Sequence, residues 1–363
     1  MRREHCLFTR FDELQLNAGI GTRAAGRLVQ RGYHVVMTTR NKTKGERVFG
    51  EISDEFPEGV KQGGRLELML CDLNDLESVA QFVLDFRSKF QRLDVLINDA
   101  GTTLPGRSKD NYQQLFQAGF LGAFVLTRGL LDLIEQTDGA RVINLSSVMH
   151  RFGSTDWEAA ALGWGRGALD VCSLNVFPNG YADAKLAMLM FTEELRRRFR
   201  SAGVSATAIA VHPGTVKTAI WGNVGGFGAA YLVVIKDILF LEPDDGAFPV
   251  LYAATAPMDD LIKLNKEHDP LAPDHPPLYL EPYWLPFGLT IPFELLGPWI
   301  GVAASDASLP RDYVTRERRL WDAAHMLAEL ARLRRHKKAD LQLRSSSSSS
   351  SPLSGEDGEK AER

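Results

Sequence analysis

The run Asn17-Ala18-Gly19-Ile20-Gly21 leads into a segment of helical character, Ala24-Ala25-Gly26-Arg27-Leu28-Val29, and then into the strand-like run Tyr33-His34-Val35-Val36-Met37. Glycines directly before a helix let the backbone approach a pyrophosphate group, because the free amides and the dipole of a helix N-terminus favour anions. Two glycines alone also fit an ordinary turn. The run therefore indicates a nucleotide-binding turn only if further strands and helices of the same kind follow it.

Further strand-like runs do follow, and helix-length amphipathic stretches come after most of them. They are residues 66–71, ending at Asp72-Leu73; residues 93–97, ending at Asn98-Asp99-Ala100-Gly101; residues 141–145; and residues 205–211, ending at His212-Pro213-Gly214. This alternation predicts an α/β fold with a Rossmann-type doubly wound parallel sheet in a single domain. Ligands of such sheets bind at the carboxyl ends of the strands.

A tyrosine, a lysine and a serine form a candidate catalytic set. Tyr181 and Lys185 stand four residues apart in Gly180-Tyr181-Ala182-Asp183-Ala184-Lys185-Leu186, and Ser147 closes Ile143-Asn144-Leu145-Ser146-Ser147. Positions i and i+4 share one face of a helix, so the lysine ammonium can lie beside the phenol. A nearby cation lowers the pKa of a tyrosine from its usual value of about 10. With Ser147 holding a substrate oxygen, the set predicts acid–base chemistry on a carbonyl or an alcohol.

Together these motifs resemble the short-chain dehydrogenase/reductase family over roughly residues 17–255. The runs at 144–150, 181–188, 211–216 and 243–247, and Arg318-Arg319-Leu320-Trp321, resemble its retinol-dehydrogenase-like branch. The resemblance implies that Tyr181 is the general acid/base, that Lys185 lowers its pKa and holds the ribose, and that Ser147 orients the substrate oxygen. Asp72 would bind the adenine, and residues 213–215 would cover the nicotinamide. The cofactor-binding residues that it implies are Gly19, Ile20, Gly21, Asp72, Leu73, Asn98, Ala100, Gly101, Tyr181, Lys185, Pro213, Gly214 and Thr215.

Cofactor preference can be argued from charge. Enzymes of this architecture that use NAD carry an acidic residue about 20 positions after the glycine turn. Here the strand ends at Thr38-Thr39-Arg40-Asn41, without a carboxylate. Arg40 is placed to bind a 2′-phosphate through a fork of donors, which favours NADP over NAD. The alternative is a solvated arginine at a strand end.

The N-terminus departs from the family pattern. The family opens with a buried strand that ends in Thr-Gly-x-x-x-Gly-x-Gly, whereas Leu14 and Gln15 stand at the threonine and first glycine positions. A central parallel strand is almost continuously apolar, and residues 11–16 are not. We therefore expect residues 1–16 to be atypical and the first strand to be degenerate or missing. Either the N-terminus has diverged or the sequence begins with an incorrectly assigned exon, which we favour.

A second departure lies in the helix predicted over residues 111–131. The family has an asparagine at the position of Gly119, where it helps to hold a water in a proton relay to the lysine. A glycine removes that side chain and costs about 1 kcal/mol of helix stability relative to alanine. The alternative function is therefore a catalytically weak or inactive Rossmann-fold binding or regulatory protein.

Composition sets the remaining limits. The 363 residues are 44% hydrophobic, which allows one large core, predicted over residues 17–330. Residues 331–363 contain the basic cluster Arg334-Arg335-His336-Lys337-Lys338 and seven consecutive serines, and predict a disordered tail. A net charge of −4 gives no indication of nucleic-acid binding. Three cysteines and the absence of a secretory signal favour an intracellular protein, cytoplasmic or membrane-associated.

Two apolar segments favour a lipophilic substrate and peripheral membrane contact. Residues 229–241 lie where the family binds substrate, and core packing is the alternative. Residues 282–302 lie in an inserted segment, about 257–303, where three prolines argue against a membrane span and favour a lid or a membrane-facing surface. His268, Asp269, Asp274 and His275 fit a solvated loop better than a metal site. Apolar residues of helices 110–134 and 178–199 fit a homodimer interface, which we favour, and fit packing on the sheet equally well; they are Leu115, Phe124, Leu186, Leu189 and Phe191.

The sequence therefore predicts an NADP-dependent oxidoreductase that interconverts a lipophilic alcohol and its aldehyde or ketone, with no metal.

Overall fold

The computed structural model describes residues 4–9, 19–57, 63–102, 105–163, 180–218, 240–268, 279–282, 284–285, 289–290, 302–304 and 313–348. The strands are β1 (His5–Thr9), β2 (His34–Thr39), β3 (Arg65–Leu70), β4 (Val95–Asn98), β5 (Arg141–Leu145), β6 (Thr207–Val211), β7 (Tyr279–Pro282), β8 (Trp284–Leu285), β9 (Leu289–Thr290) and β10 (Val302–Ala304). The helices are α1 (Ile20–Gln30), α2 (Lys42–Glu55), α3 (Leu76–Lys89), α4 (Gln114–Phe116), α5 (Gly122–Gly129), α6 (Leu131–Gln136), α7 (Trp157–Leu162), α8 (Tyr181–Ala202), α9 (Pro243–Thr255), α10 (Met258–His268) and α11 (Tyr313–Ser348). A π-helical turn (Gln117–Leu121) joins α4 to α5, and a 3-10 helix (Val148–Phe152) follows β5.

Eight strands form one sheet in the order β10-β7-β6-β5-β4-β1-β2-β3. Neighbouring strands are parallel from β3 to β7, and only the edge strand β10 runs antiparallel to its neighbour. The predicted Rossmann-type sheet is confirmed. The chain order reverses between β1 and β4, and a crevice at such a point is where sheets of this kind bind ligands.

The first strand, which we expected to be degenerate or missing, is present. β1 occupies the centre of the sheet, where Leu7 is in register with Val36 of β2 and with Leu96 of β4. Its residues from Cys6 to Thr9 are buried. This short apolar run meets the requirement of a strand covered on both faces. The family pattern predicts this strand directly before the glycine turn, at residues 11–16, which lie outside the described residues.

The core lies on both faces of the sheet, because successive side chains of a strand point to opposite faces. Leu7 and Leu96 belong to a cluster that includes Phe82 of α3, Phe191 of α8 and Trp321 of α11. The second cluster contains side chains of the same strands that point the other way, with apolar residues of α1, α2 and α9. Helices therefore cover both faces, and the carboxyl edge of the sheet is left for polar residues.

The C-terminal boundary differs from the prediction. α11 continues to Ser348, beyond the boundary predicted at residue 330. Ala331 is buried, and the Arg335 Nη2 atom lies 2.7 Å from the Asp75 carboxylate. Arg335 Nε also donates to Asp110 at 2.9 Å. These long-range contacts hold a segment whose composition alone indicated no order. Residues 349–363 lie outside the described residues.

The predicted inserted segment, about 257–303, is partly built into the domain. It contributes α10 and β7. β7 pairs with β6 in the main sheet, and all four of its residues are buried. Most of the two apolar segments proposed for membrane contact, residues 229–239 and 291–301 among them, lies outside the described residues. In the described part of the chain, no helix is long and apolar enough to cross a bilayer.

Candidate active site

Tyr181 and Lys185 lie on one face of the first turns of α8. Gly180 precedes the helix at φ +93°, a left-handed conformation that glycine adopts without strain. Both side chains are buried, and Lys185 Nζ lies 5.6 Å from the centroid of the Tyr181 ring. The structure therefore brings together the two residues that the four-residue spacing predicted to be neighbours.

Ser147 completes this group from the end of β5. It is the N-cap of the 3-10 helix, where its Oγ accepts a hydrogen bond from the Met149 amide at 3.3 Å. A side-chain hydrogen bond also links Ser147 to Tyr181. The hydroxyl of Ser147 and the phenol of Tyr181 can thus act on the same oxygen atom of a substrate.

The predicted lowering of the Tyr181 pKa by Lys185 is not found. Burial raises the pKa of Tyr181 to about 12, the hydrogen bond from Ser147 lowers it, and the Asp99 carboxylate raises it further. Removal of a phenol from water disfavours its charged form, and here this effect is the largest. Tyr181 is therefore a phenol at neutral pH, the form that can donate a proton.

Lys185 is held by the end of β5. Its Nζ donates to the Leu145 carbonyl at 2.9 Å, and the Ser146 hydroxyl donates to the Lys185 carbonyl at 2.8 Å. Burial lowers the pKa of Lys185 to about 8, and the Asp99 carboxylate raises it. These two bonds fix α8 against the strand that carries Ser147.

The glycine turn fits a dinucleotide pyrophosphate. α1 begins after Gly19, which gives no side-chain cap, and a Cβ placed on Gly19 would meet no atom of the described residues within 4 Å. A Cβ on Gly21, by contrast, would overlap the Asp99 carboxylate and lie 2.9 Å from the Phe8 ring. Open space beside uncapped helix amides is what an anion needs. Gly19, Ile20 and Gly21 are therefore suited to the predicted cofactor.

The other predicted cofactor residues follow β2 and β3. Arg40 is exposed directly after β2. Asp72, after β3, is half-buried, and its Oδ1 accepts from the Asn74 amide at 3.0 Å. Leu73 is buried, and its carbonyl accepts from Gln117 Nε2 at 3.3 Å. One oxygen of the Asp72 carboxylate therefore stabilises the turn that follows β3.

Asn98, which the sequence predicts to border the cofactor, lies at the end of β4. Its side chain is buried. Its Nδ2 donates to Asn144 Oδ1 at 2.8 Å and to Thr127 Oγ1 at 3.2 Å. A buried amide needs such partners, so Asn98 ties β4 to β5 and α5. Ala100 is also buried, whereas a Cβ on Gly101 would lie 3.6 Å from Lys185 Nζ.

The segment after β6 reaches the glycine turn. Pro213, Gly214 and Thr215 are half-buried, and Gly214 has φ +84°. A Cβ on Gly246 of α9 would lie 3.1 Å from Val216 Cγ1 and 3.3 Å from Ile20 Cγ1. Val216 and Ile20 therefore approach the same point, which places residues 213–216 beside the start of α1.

Gly119 lies in the π-helical turn, and a Cβ there would be 3.1 Å from the Cβ of Ala184. Ala184 stands between Tyr181 and Lys185, so a glycine allows this turn to approach the catalytic helix closely. π-helical turns occur often at functional sites.

Two residues that sequence reasoning did not select also border the site. Asp99 was visible in the Asn-Asp-Ala-Gly run, and His150 in the run after Ser147.

Comparison with known proteins gives the same family. The family model for short chain dehydrogenases matches residues 16–159. Human polyprenol dehydrogenase is 33% identical over 249 residues, which are 66% of this chain and 70% of that protein. Mouse retinol dehydrogenase 12 is 34% identical over 254 residues, 69% and 74% of the two chains. A crystal structure of an uncharacterized protein from Mycobacterium paratuberculosis aligns with a TM-score of 0.60 at 26% identity, covering 90% and 93% of the chains.

The chain therefore belongs to the short-chain dehydrogenase/reductase family, in its retinol-dehydrogenase-like branch. It is an NAD(P)-dependent oxidoreductase of the alcohol and carbonyl class.

Proposed function

We propose that this protein is an NADP-dependent oxidoreductase that interconverts a lipophilic alcohol and its aldehyde or ketone, with Tyr181 as the acid/base. The buried hydrogen bond between Tyr181 and Ser147, beside Lys185 at the carboxyl edge of the sheet, carries the proposal. The names of the two relatives, polyprenol dehydrogenase and retinol dehydrogenase 12, support a lipophilic alcohol as the substrate class.

Bound NADP(H) would supply or accept a hydride. Residues 19–21 would hold its pyrophosphate at the start of α1, and Lys185 its ribose. During reduction, Tyr181 Oη donates its proton to the substrate oxygen, while the Ser147 hydroxyl holds that oxygen by a hydrogen bond. During oxidation, Tyr181 takes the proton from the substrate hydroxyl. Burial excludes water from this transfer and strengthens both hydrogen bonds.

The test is Tyr181→Phe, with Tyr252→Phe on α9 as the matched control. Loss of the phenol hydroxyl should lower turnover by about 10²–10⁴-fold, since a positioned acid/base contributes that much. Cofactor affinity, followed through nicotinamide fluorescence, should change little in either variant. The Tyr252 variant should keep wild-type turnover. A Tyr181→Phe enzyme with wild-type turnover would refute the proposal.

The second candidate is a catalytically weak or inactive binding or regulatory protein, favoured by Gly119 and by the raised pKa of Tyr181. Direct titration with NADPH and NADH distinguishes the two. The oxidoreductase should bind at least one dinucleotide and turn over lipophilic alcohols or aldehydes. Dinucleotide binding without turnover on such a panel would favour the weak enzyme. Failure to bind either dinucleotide would exclude a dinucleotide enzyme.

Peripheral membrane contact and an intracellular site, cytoplasmic or membrane-associated, stay part of the proposal. A lipophilic alcohol partitions into bilayers, so an enzyme that uses one gains from access to a membrane surface. Sedimentation of the protein with lipid vesicles tests this contact.

A further inference from the structure

His150 is a buried residue at the site that the proposed mechanism does not use. It lies in the 3-10 helix after Ser147 and is 1% exposed. Its ring packs edge-on against the Tyr279 ring, with centroids 5.4 Å apart. A histidine in such a place is often an ordinary core residue, so its contacts decide what it does.

The contacts of His150 converge on the carbonyl oxygen of Ser147. That oxygen accepts the backbone amide of His150 at 2.9 Å and lies 2.7 Å from His150 Nδ1. A carbonyl can only accept, so Nδ1 carries the ring proton and Nε2 is a lone-pair acceptor. Nε2 has no hydrogen-bond partner among the described residues.

The imidazole is neutral through the physiological pH range. Burial lowers the pKa of His150 to about 4, the bond to Ser147 raises it, and Arg151 lowers it. The other titratable groups that interact across this region are His212, whose own pKa is lowered, and Tyr279. The Nδ1–H donor is therefore present at every pH at which Tyr181 would act.

Ser147 is held from three directions. Its backbone is extended, with φ −159° and ψ 155°, at the point where β5 passes into the 3-10 helix. Its Oγ accepts from the Met149 amide, and its carbonyl accepts twice from His150. The ring bond holds the peptide plane that follows Ser147, directly beside the Cα that carries the hydroxyl.

We propose that His150 is a positioning residue for this reaction: its Nδ1–H holds the Ser147 carbonyl so that the Ser147 hydroxyl faces Tyr181. The inference rests on the proposed function, in which Ser147 and Tyr181 act on one substrate oxygen. His150 itself touches neither the substrate oxygen nor the phenol in this role.

Two substitutions separate positioning from packing. In His150→Asn the amide nitrogen is bonded to Cγ, as Nδ1 is in histidine, and can donate to the same carbonyl. In His150→Gln the amide nitrogen is one bond further out and cannot reach that carbonyl from the same backbone. Both variants keep a neutral polar side chain. A packing role predicts similar defects in both, whereas positioning predicts a defect in the glutamine variant alone.

The first measurement does not depend on turnover. Ser147-Val148 and Ser78-Val79 are the two Ser-Val steps in the chain, so carbonyl-labelled serine with ¹⁵N-valine gives two correlated NMR signals. The Ser147 carbonyl shift should move in His150→Gln and stay near wild type in His150→Asn, while Ser78 reports an intact fold. In the wild type, ¹⁵N-histidine spectra should show the Nδ1–H tautomer. An Nε2–H tautomer at pH 7 would overturn the proposal even if a variant fails to fold.

The second measurement is the pH dependence of alcohol oxidation. His150→Gln should lower kcat by about tenfold to a hundredfold, because small misplacements of reacting groups cost that much. It should also raise the kinetic pKa of Tyr181, since the Ser147 hydrogen bond lowers that pKa. Dinucleotide affinity should be unchanged, and His150→Asn should restore both kinetic values.

Equal loss of kcat in both variants with an unshifted pH profile would show that His150 only packs, and would overturn the inference. A wild type that binds no dinucleotide and turns over no alcohol would contradict the proposed function instead. In that case the Ser147 carbonyl shift still decides whether His150 holds Ser147.

Discussion

At the scale of single residues, burial and nearby charges together determine the pKa values of the site. Burial acts on Tyr181 and Lys185 in opposite directions, raising the pKa of the phenol and lowering that of the ammonium. Asp99 raises both, because a carboxylate disfavours the phenolate and favours the ammonium. Its carboxylate lies against Gly21, at the start of α1. Asp99 is thus placed to influence both the proton donor and the cofactor turn.

The substitution Asp99→Asn should lower the pKa of Tyr181 and of Lys185. The alcohol oxidation rate rises with pH as the phenolate forms, so its pH profile should move to lower pH. Asp99→Glu, which keeps the charge, is the control and should move the profile less. Superimposable pH profiles of kcat/KM for wild type and Asp99→Asn would show that the charge of Asp99 does not reach Tyr181.

The proposed cofactor preference also rests on a single residue. If Arg40 binds the 2′-phosphate, Arg40→Asp should lose affinity for NADPH and gain relatively for NADH. A charge-assisted hydrogen bond contributes roughly 1.5–3 kcal/mol, so the preference should shift by about 10–100-fold. Added salt should weaken the wild-type discrimination, because Arg40 is exposed and its contact is screened.

The matched control for Arg40 is Arg31→Asp. Arg31 is exposed at the C-terminal end of α1, away from the carboxyl edge of the sheet, and carries the same change of charge. Fluorescence titration should give it the wild-type ratio of NADPH to NADH affinity. Equal ratios for Arg40→Asp and Arg31→Asp would mean that Arg40 faces solvent, and NADP would lose its support.

At the scale of elements, α11 packs against α8 through aromatic rings and a cation–π contact. The Trp321 ring lies 5.1 Å from the Phe124 ring and 5.9 Å from the Phe191 ring, centroid to centroid. The Arg198 guanidinium lies 3.7 Å from the centre of the Trp321 ring, close enough for a cation–π interaction. The contact gives the catalytic helix a second support on the side away from the sheet.

This contact also buries a carboxyl group. Glu317 of α11 is buried, and its two oxygens have no hydrogen-bond partner among the described residues. Burial raises the pKa of Glu317 to about 8, and the nearby Glu193 and Glu194 raise it too, against Arg197 and Arg200. The Glu317 carboxyl is therefore protonated in the folded protein at neutral pH.

The folded protein thus binds one more proton than the unfolded chain between about pH 4.3, the ordinary value for glutamate, and about pH 8. Stability from this group is present below that window and is lost as pH rises through it. Glu317→Gln should remove the effect, so its advantage over wild type should grow by a few kcal/mol between pH 5 and pH 8. Denaturant unfolding of both proteins at several pH values measures it, and a pH-independent difference would contradict it.

At the scale of the whole molecule, α11 covers the helix face on which a homodimer was expected. All five apolar residues proposed for that interface are buried within one chain; they are Leu115, Phe124, Leu186, Leu189 and Phe191. Trp321 contacts two of them, Phe124 and Phe191. The homodimer stays a proposal, but these side chains no longer support it.

We therefore expect that this face forms no dimer interface and that light scattering at micromolar concentration gives the mass of a monomer. Trp321→Ala should expose Phe124 and Phe191 and give concentration-dependent association. Leu333→Ala is the control on the same helix, because Leu333 is 58% exposed and should leave the mass unchanged. A dimer of the wild type would show that another surface forms the interface.

The sequence by itself determined the strand and helix alternation, the parallel sheet and the edge that carries the site. These features depend on local signals: apolar runs of strand length, glycines before a helix, and polar residues where strands end. The grouping of Tyr181 with Lys185 followed from helix periodicity alone.

Tertiary structure alone decided the rest. His5–Thr9 is too short and too far from the glycine turn to be recognised as a central strand, and becomes one only by pairing with β2 and β4. Asn98 turns inward because Asn144 and Thr127 lie beside it. Likewise, burial is the largest influence on the pKa of Tyr181, and long-range contacts hold α11 as far as Arg335. In each case the stabilising contacts join residues that are far apart in the chain, so no local sequence pattern predicts them.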